Sequence, residues 1–89
     1  MNNLKGKVAV VTGGSRDIGR AVSIKLALEG AKVCINYCHN EAKAKETLKM
    51  VEDAGGEAIL VKADVTKAED VRYLMEETAK AFGPASTFL

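Results

Sequence analysis

The chain has little of what would tie it to a membrane, to nucleic acid or to a disulfide framework. Its 13 basic and 12 acidic side chains leave a formal net charge of +1, which gives no electrostatic reason to expect a nucleic-acid partner or an acidic lipid surface. No apolar run approaches the ~20 residues of a membrane span. The opening Met1-Asn2-Asn3-Leu4-Lys5-Gly6-Lys7 lacks the apolar stretch of a secretory leader, so the expected location is cytoplasmic. There are two cysteines, Cys34 and Cys38, too few for a disulfide-stapled scaffold. Together with His39 they spell C-x3-C-H, but Cys34 falls inside an apolar strand pattern and no second ligand pair follows, so no metal site is expected. Repeats, linkers and low-complexity segments are also lacking.

What remains is one ordinary domain at most: 89 residues, 47% hydrophobic and 28% charged. A domain of this size buries only about two thirds of its unfolded surface. Lys7 to Thr12 is a short β-branched run, the pattern of a parallel strand covered on both faces. Ile18 to Glu29 reads as a helix with Ile18, Ala21, Val22, the Lys25 stem and Leu26 on one stripe, stopped by Gly30. Lys32 to Tyr37 reads as a second strand. Asn40 caps a helix running to about Ala54, with Ala44, Leu48 and Val51 facing in, and Glu57 to Lys62 is a third strand. Thr66 and Glu69 form a capping-box pair ahead of a helix carrying Val71, Leu74, Met75, Thr78, Ala79 and Phe82, which Gly83-Pro84 stops. The order β-α-β-α-β-α with short connections predicts a Rossmann-type α/β half-fold: a parallel three-stranded sheet of order 3-2-1 with right-handed crossovers. Residues 1–83 would be a truncated dinucleotide-binding domain and 84–89 an aberrant tail.

Between the first strand and the first helix lies Thr12-Gly13-Gly14-Ser15-Arg16-Asp17-Ile18-Gly19. A glycine-rich turn opening a helix presents unpaired N–H groups and a partial positive charge to an anion. Gly13 allows a tight turn, and Gly19 lets the helix approach the sheet. A P-loop is excluded, because Arg20 and Ala21 stand where Lys and Ser/Thr are required. A structural turn without a ligand and a dinucleotide turn remain, and the strand–turn–helix context favours the second.

These residues, from Leu4 to about Gly83, resemble short-chain dehydrogenases/reductases, whose turn reads T-G-x-x-x-G-x-G, and look most like the 3-oxoacyl-carrier-protein reductase members. The resemblance implies NADP(H) as cofactor, held by Gly13, Ser15, Arg16, Asp17, Ile18, Gly19, Tyr37, Asp64 and Val65. Arg16 stands where NADP-preferring members carry a basic residue. Tyr37 stands where NAD-preferring members carry an acid for the ribose hydroxyl, and Asp64-Val65 matches the pair that contacts adenine. Each also has a plainer reading: a solvated turn residue for Arg16, a strand-end aromatic for Tyr37, a strand terminator for Asp64.

Asp17 departs from the family's middle glycine. A carboxylate ~4 Å from a phosphate at an effective dielectric of ~20 costs about 4 kcal/mol, and half of that still weakens affinity roughly tenfold or more. Asp17 also suits an N-cap, where its carboxylate would fill the anion hole itself. Cofactor binding is therefore expected to be weak. The family's chemistry, hydride transfer to a carbonyl, uses a Tyr and a Lys four residues on. Here Tyr37 and Tyr73 are followed at that spacing by Glu41 and Glu77, so no catalytic residue is nominated. After Gly83 the family continues into an Ile-Asp-Ile-Leu strand, whereas this chain reads Pro84-Ala85-Ser86-Thr87-Phe88-Leu89. Ala-Ser-Thr-Phe-Leu can be encoded so that another frame spells Ile-Asp-Ile-Leu, which suggests a frame-shifted, truncated reductase. Without a fourth strand, Val8 to Val11 would be an exposed apolar edge, and self-association through it is expected. The competing expectation to a cofactor-binding fragment is a non-catalytic, self-associating or partner-binding half-domain.

Overall fold

Val8, Ala9, Val10 and Val11 are each at most 4% exposed. A strand buried on both faces needs helices on both sides of its sheet, and the computed structural model supplies them. It describes residues 3–13 and 17–89. The elements are β1 (Val8–Thr12), α1 (Asp17–Leu28), β2 (Lys32–Tyr37), α2 (Glu41–Asp53), β3 (Glu57–Lys62), α3 (Ala68–Phe82) and β4 (Thr87–Phe88). All strand pairs are parallel, in the order β3-β2-β1-β4. The register runs Val8↔Lys32 to Thr12↔Asn36 and Lys32↔Glu57 to Tyr37↔Lys62.

Alternate residues divide the core in two. Val11, Val33 and Ile35 pack with Ala27 of α1 and Val51 of α2. Val10, Cys34 and Val61 pack with Ala63 and with Leu74 of α3 on the other face. Gly56 is required where α1, α2 and β3 meet. A Cβ there would lie 2.7 Å from the Ala27 Cβ and 3.0 Å from Val51 Cγ1, closer than packed carbon atoms tolerate. Asn40 caps α2 as expected, its Oδ1 accepting from the Lys43 N–H at 3.1 Å, and Ala44 and Val51 are buried.

Four expectations are corrected. The sheet has a fourth strand, formed by the tail. The Ser86 N–H donates to the Val8 carbonyl at 2.7 Å, the Leu89 N–H to the Val10 carbonyl at 2.8 Å, and the Thr12 N–H to the Leu89 carbonyl at 2.7 Å. The edge from Val8 to Val11 is therefore covered by main-chain pairing and is not the bare surface on which self-association was expected. Next, α1 does not bury Ile18 and Ala21; its buried residues are Ser23 and Ala27, and Ile18 is 81% exposed, because the first turn of α1 overhangs the end of the sheet. The third correction is that Asp17 is the first residue of α1 itself rather than a cap before it. Finally, Thr66 does not cap α3, whose N-cap Lys67 makes no side-chain cap bond. The Thr66 hydroxyl donates instead to Asp64 Oδ1 at 2.6 Å.

Candidate functional site

The C-terminal ends of β1, β2 and β3 open into a cleft of about 1290 Å³. In an open parallel sheet this is where ligands bind, because the helices that follow the strands point their N-termini there. Of the residues nominated from sequence, Gly13, Asp17, Ile18, Gly19, Tyr37, Asp64 and Val65 all line this cleft. Ser15 and Arg16 lie outside the described residues.

Each wall is fixed by its own chemistry. β1 runs into Gly13, whose φ of +68° suits glycine, and a Cβ there would meet none of the described residues within 4 Å, its chain neighbours aside. The exposed side chains of Asp17 and Ile18 follow on the first turn of α1.

At the end of β2, Asn36 is buried and its Nδ2 donates to the Val61 carbonyl at 3.2 Å and the Ala63 carbonyl at 3.1 Å. The Ala63 N–H returns a bond to the Tyr37 carbonyl at 2.9 Å. These bonds tie the segment after β3 to the end of β2 and bring Asp64 and Val65 to the mouth of the cleft beside Tyr37. Asp64 Oδ1 accepts from the Thr66 hydroxyl and, at 2.9 Å, from the Thr66 N–H. Those two bonds, with the nearby positive charges of Lys67 and His39, hold its carboxyl below the ordinary aspartate range. Its own N–H donates to Asp70 Oδ2 at 2.8 Å.

Sequence reasoning missed Arg20, one position after Gly19. Its Nε donates to Thr47 Oγ1 at 3.0 Å, and its Nη2 to the Lys43 carbonyl at 3.2 Å and Glu46 Oε1 at 3.0 Å. The guanidinium thus locks the start of α1 to the first two turns of α2, which are the two helical walls of the cleft. Its signal was a long-range one, a basic residue in the glycine turn and an acceptor pair, Glu46-Thr47, on the next helix. Cys38, His39, Asn40 and Lys43 also line the cleft. Cys34 does not; burial raises its thiol pKa, and it packs in the core with Leu74. The two cysteines therefore face different surroundings.

Residues 7–88 match the family model described as short chain dehydrogenase. The chain belongs to the short-chain dehydrogenase family. Among its relatives is the short-chain dehydrogenase/reductase homolog YusS of Bacillus subtilis, 41% identical over 81 residues that make up 91% of this chain and 74% of that protein. The hydroxynaphthalene reductase arp2 of Aspergillus fumigatus is 40% identical over 90% of this chain and 29% of its own length. Among solved structures, a dehydrogenase/reductase from Sinorhizobium meliloti superposes with a TM-score of 0.92 at 41% identity, covering 97% of this chain and 34% of the other. The chain thus spans most of the Bacillus homolog and roughly a third of the reductase and the solved protein. Short-chain dehydrogenases bind nicotinamide dinucleotides, and the cleft at the strand ends is where the family's fold places them. Among the described residues, no helix is long and apolar enough to cross a membrane.

Proposed function

We propose that this chain is the cofactor-binding portion of an NADP(H)-dependent short-chain reductase that converts a carbonyl to an alcohol. The observation that carries this reading is the convergence of Gly13, Tyr37, Asp64 and Val65, from three separate strand ends, on one cleft that the start of α1 also faces. The residues suit a dinucleotide. Gly13 and the start of α1 line the cleft where a pyrophosphate would sit. Val65, 42% exposed, offers an apolar surface to adenine, and the ionised Asp64 offers an acceptor for its amino group. Tyr37 stands at the end of β2 in place of an acid that would repel a 2′-phosphate, which favours NADP(H) over NAD(H), as does the basic Arg16. When bound, the nicotinamide supplies the hydride.

The likeness to 3-oxoacyl-carrier-protein reductases makes a 3-oxoacyl thioester the proposed substrate. The solved reductase LugOII, which catalyses keto-reduction at C1 during lugdunomycin biosynthesis, is 46% identical over 91% of this chain, consistent with ketone chemistry. Within these 89 residues neither tyrosine has a lysine four positions on, so the chain alone is proposed to bind cofactor without turning substrate over.

Asp17 sets the strength of that binding. Its carboxylate is exposed in the first turn of α1 and lines the cleft that a pyrophosphate would enter, where it would repel it. Replacing it in Asp17→Gly should lower the Kd for NADPH by roughly tenfold, read from enhancement of the reduced nicotinamide fluorescence on titration. Equal affinities for the two proteins would overturn the assignment of Asp17, and binding by neither would overturn the cofactor-binding reading.

A further inference from the structure

Asp70, in the first turn of α3, spends its carboxylate outside its own helix. An acid at the third helical position ordinarily serves the helix start, by reaching back to the N-cap N–H or by complementing the dipole. Here the N–H of the N-cap, Lys67, goes to the Asp64 carbonyl at 3.0 Å. Asp70 Oδ2 accepts instead from the Asp64 N–H at 2.8 Å, six residues back along the chain. Asp70 makes no ion pair among the described residues. Its neighbour Glu69 is exposed in the same turn and already answers the dipole.

That bond completes a set that fixes one pair of residues. Both main-chain groups of Ala63 are held from β2, by Tyr37 and Asn36. The Asp64 carbonyl is held by Lys67 and its Oδ1 by Thr66, but these two partners belong to the same short turn as Asp64. The Asp70 bond is the one that ties Asp64 to the body of α3. Two groups then stay without a hydrogen bond among the described residues: Asp64 Oδ2 and the Val65 N–H. They are an acceptor and a donor on consecutive residues that line the cleft. Asp70 is not among the residues that line it, so whatever it does for a ligand it does through Asp64.

We propose that Asp70 is a positioning residue: by holding the Asp64 N–H it aims the Asp64 carboxylate at the amino group of the base, and so sets how well the chain tells adenine from a base without that group. The proposal rests on the cofactor-binding reading above, in which Asp64 accepts from adenine, and adds a residue that the sequence motifs did not nominate. An acceptor contributes its hydrogen bond in full only when its direction is fixed before the ligand arrives, since a turn free to rotate must be ordered on binding. Loss of one such bond corresponds to about a fivefold change in affinity.

The test is a fluorescence titration with NADPH and with its hypoxanthine analogue, which has a carbonyl where adenine has its amino group. The proteins are the wild-type chain, Asp70→Ala, Asp70→Asn and Asp70→Glu, each also in an Asp17→Gly background. The unmutated chain should prefer NADPH by about tenfold. Asp70→Ala should weaken NADPH about fivefold and leave the analogue within about twofold, so that most of the preference disappears. Asp70→Asn keeps an acceptor oxygen in place and should keep most of the preference. Asp70→Glu keeps the charge at the helix start but displaces the carboxylate, and should lose the preference while its Tm stays near that of the wild type. A helix-start role alone would give the reverse order for these two variants, or equal shifts for both dinucleotides, and either result would overturn the role of Asp70. Binding of both dinucleotides by the unmutated chain without preference would overturn it as well, while the cofactor-binding reading stands. Failure of the wild type and of Asp17→Gly to bind either dinucleotide would overturn that reading, and the role of Asp70 with it.

Discussion

The two ends of the cleft are built on opposite terms. At the β2–β3 end several polar groups are committed. Asn36 ties the end of β2 to β3 and the residues after it, Asp64 is held by Thr66, and Asn40 caps the start of α2. At the glycine-turn end, a Cβ on Gly13 would meet none of the described residues within 4 Å, its chain neighbours aside, and Asp17 and Ile18 are exposed. A preorganised end recognises a ligand by where its hydrogen bonds already point. An open end depends on what is left out, so a single added carboxylate has a large effect there. Substitutions at the first end should therefore cost stability, and substitutions at the second should change affinity while leaving the fold intact.

The largest expected effect is at Asn36. Replacing it in Asn36→Ala strips the Val61 and Ala63 carbonyls of this donor and loosens the segment after β3 from the end of β2, at a cost of about 2 to 3 kcal/mol. In a domain of this size, that corresponds to a Tm lower by roughly 8 to 20 °C in thermal unfolding followed by circular dichroism. An unchanged Tm would show that the committed end is less rigid than its hydrogen bonds imply. Arg20→Ala comes next. It removes three donors but exposes much of the site to water, so about 1 kcal/mol is expected, together with weaker dinucleotide binding because the helical walls are no longer locked. Urea unfolding gives the first quantity and titration the second.

The smallest effect concerns Asp64. Its carboxyl is held below its unfolded value, so its contribution to stability is present above the unfolded pKa of about 3.9 and is lost as pH falls through the lower folded value. A carboxyl-carbon NMR titration should place the folded midpoint below ~3.9, and Thr66→Val should bring it back toward that figure, because the Thr66 hydroxyl is the leading cause of the shift.

Much of this was readable from the sequence for physical reasons. The runs through Val8–Val11, Val33–Ile35 and Ala58–Val61 are apolar because both faces of their strands are buried, so β1 to β3 and their order could be inferred. The clustering of Gly13, Tyr37 and Asp64 followed from the rule that parallel strands end on the same side. β4 was not legible, since it pairs through main-chain groups and Thr87-Phe88 carries no strand pattern of its own. The capping box failed because α3 starts at Ala68 with Lys67 at its N-cap, so Thr66 lies one residue outside the cap and its hydroxyl donates to Asp64 instead. Ile18 matched the helical spacing, but its turn of α1 has no sheet beneath it. The Arg20 tie joins residues 23 to 27 positions apart, which no local pattern reports.

The bonds from β4 to β1 join residues about 80 positions apart, Val8 to Ser86 and Thr12 to Leu89. Such pairing closes a long loop and belongs to the slow, late events of folding. During synthesis the Val8–Val11 edge is made early and is covered only once residues 86–89 have followed. Until then it is an apolar strand with unpaired main-chain groups, so the yield of folded chain in the cell should depend on how quickly residues 86–89 reach it, and on chaperones holding that edge in the interval.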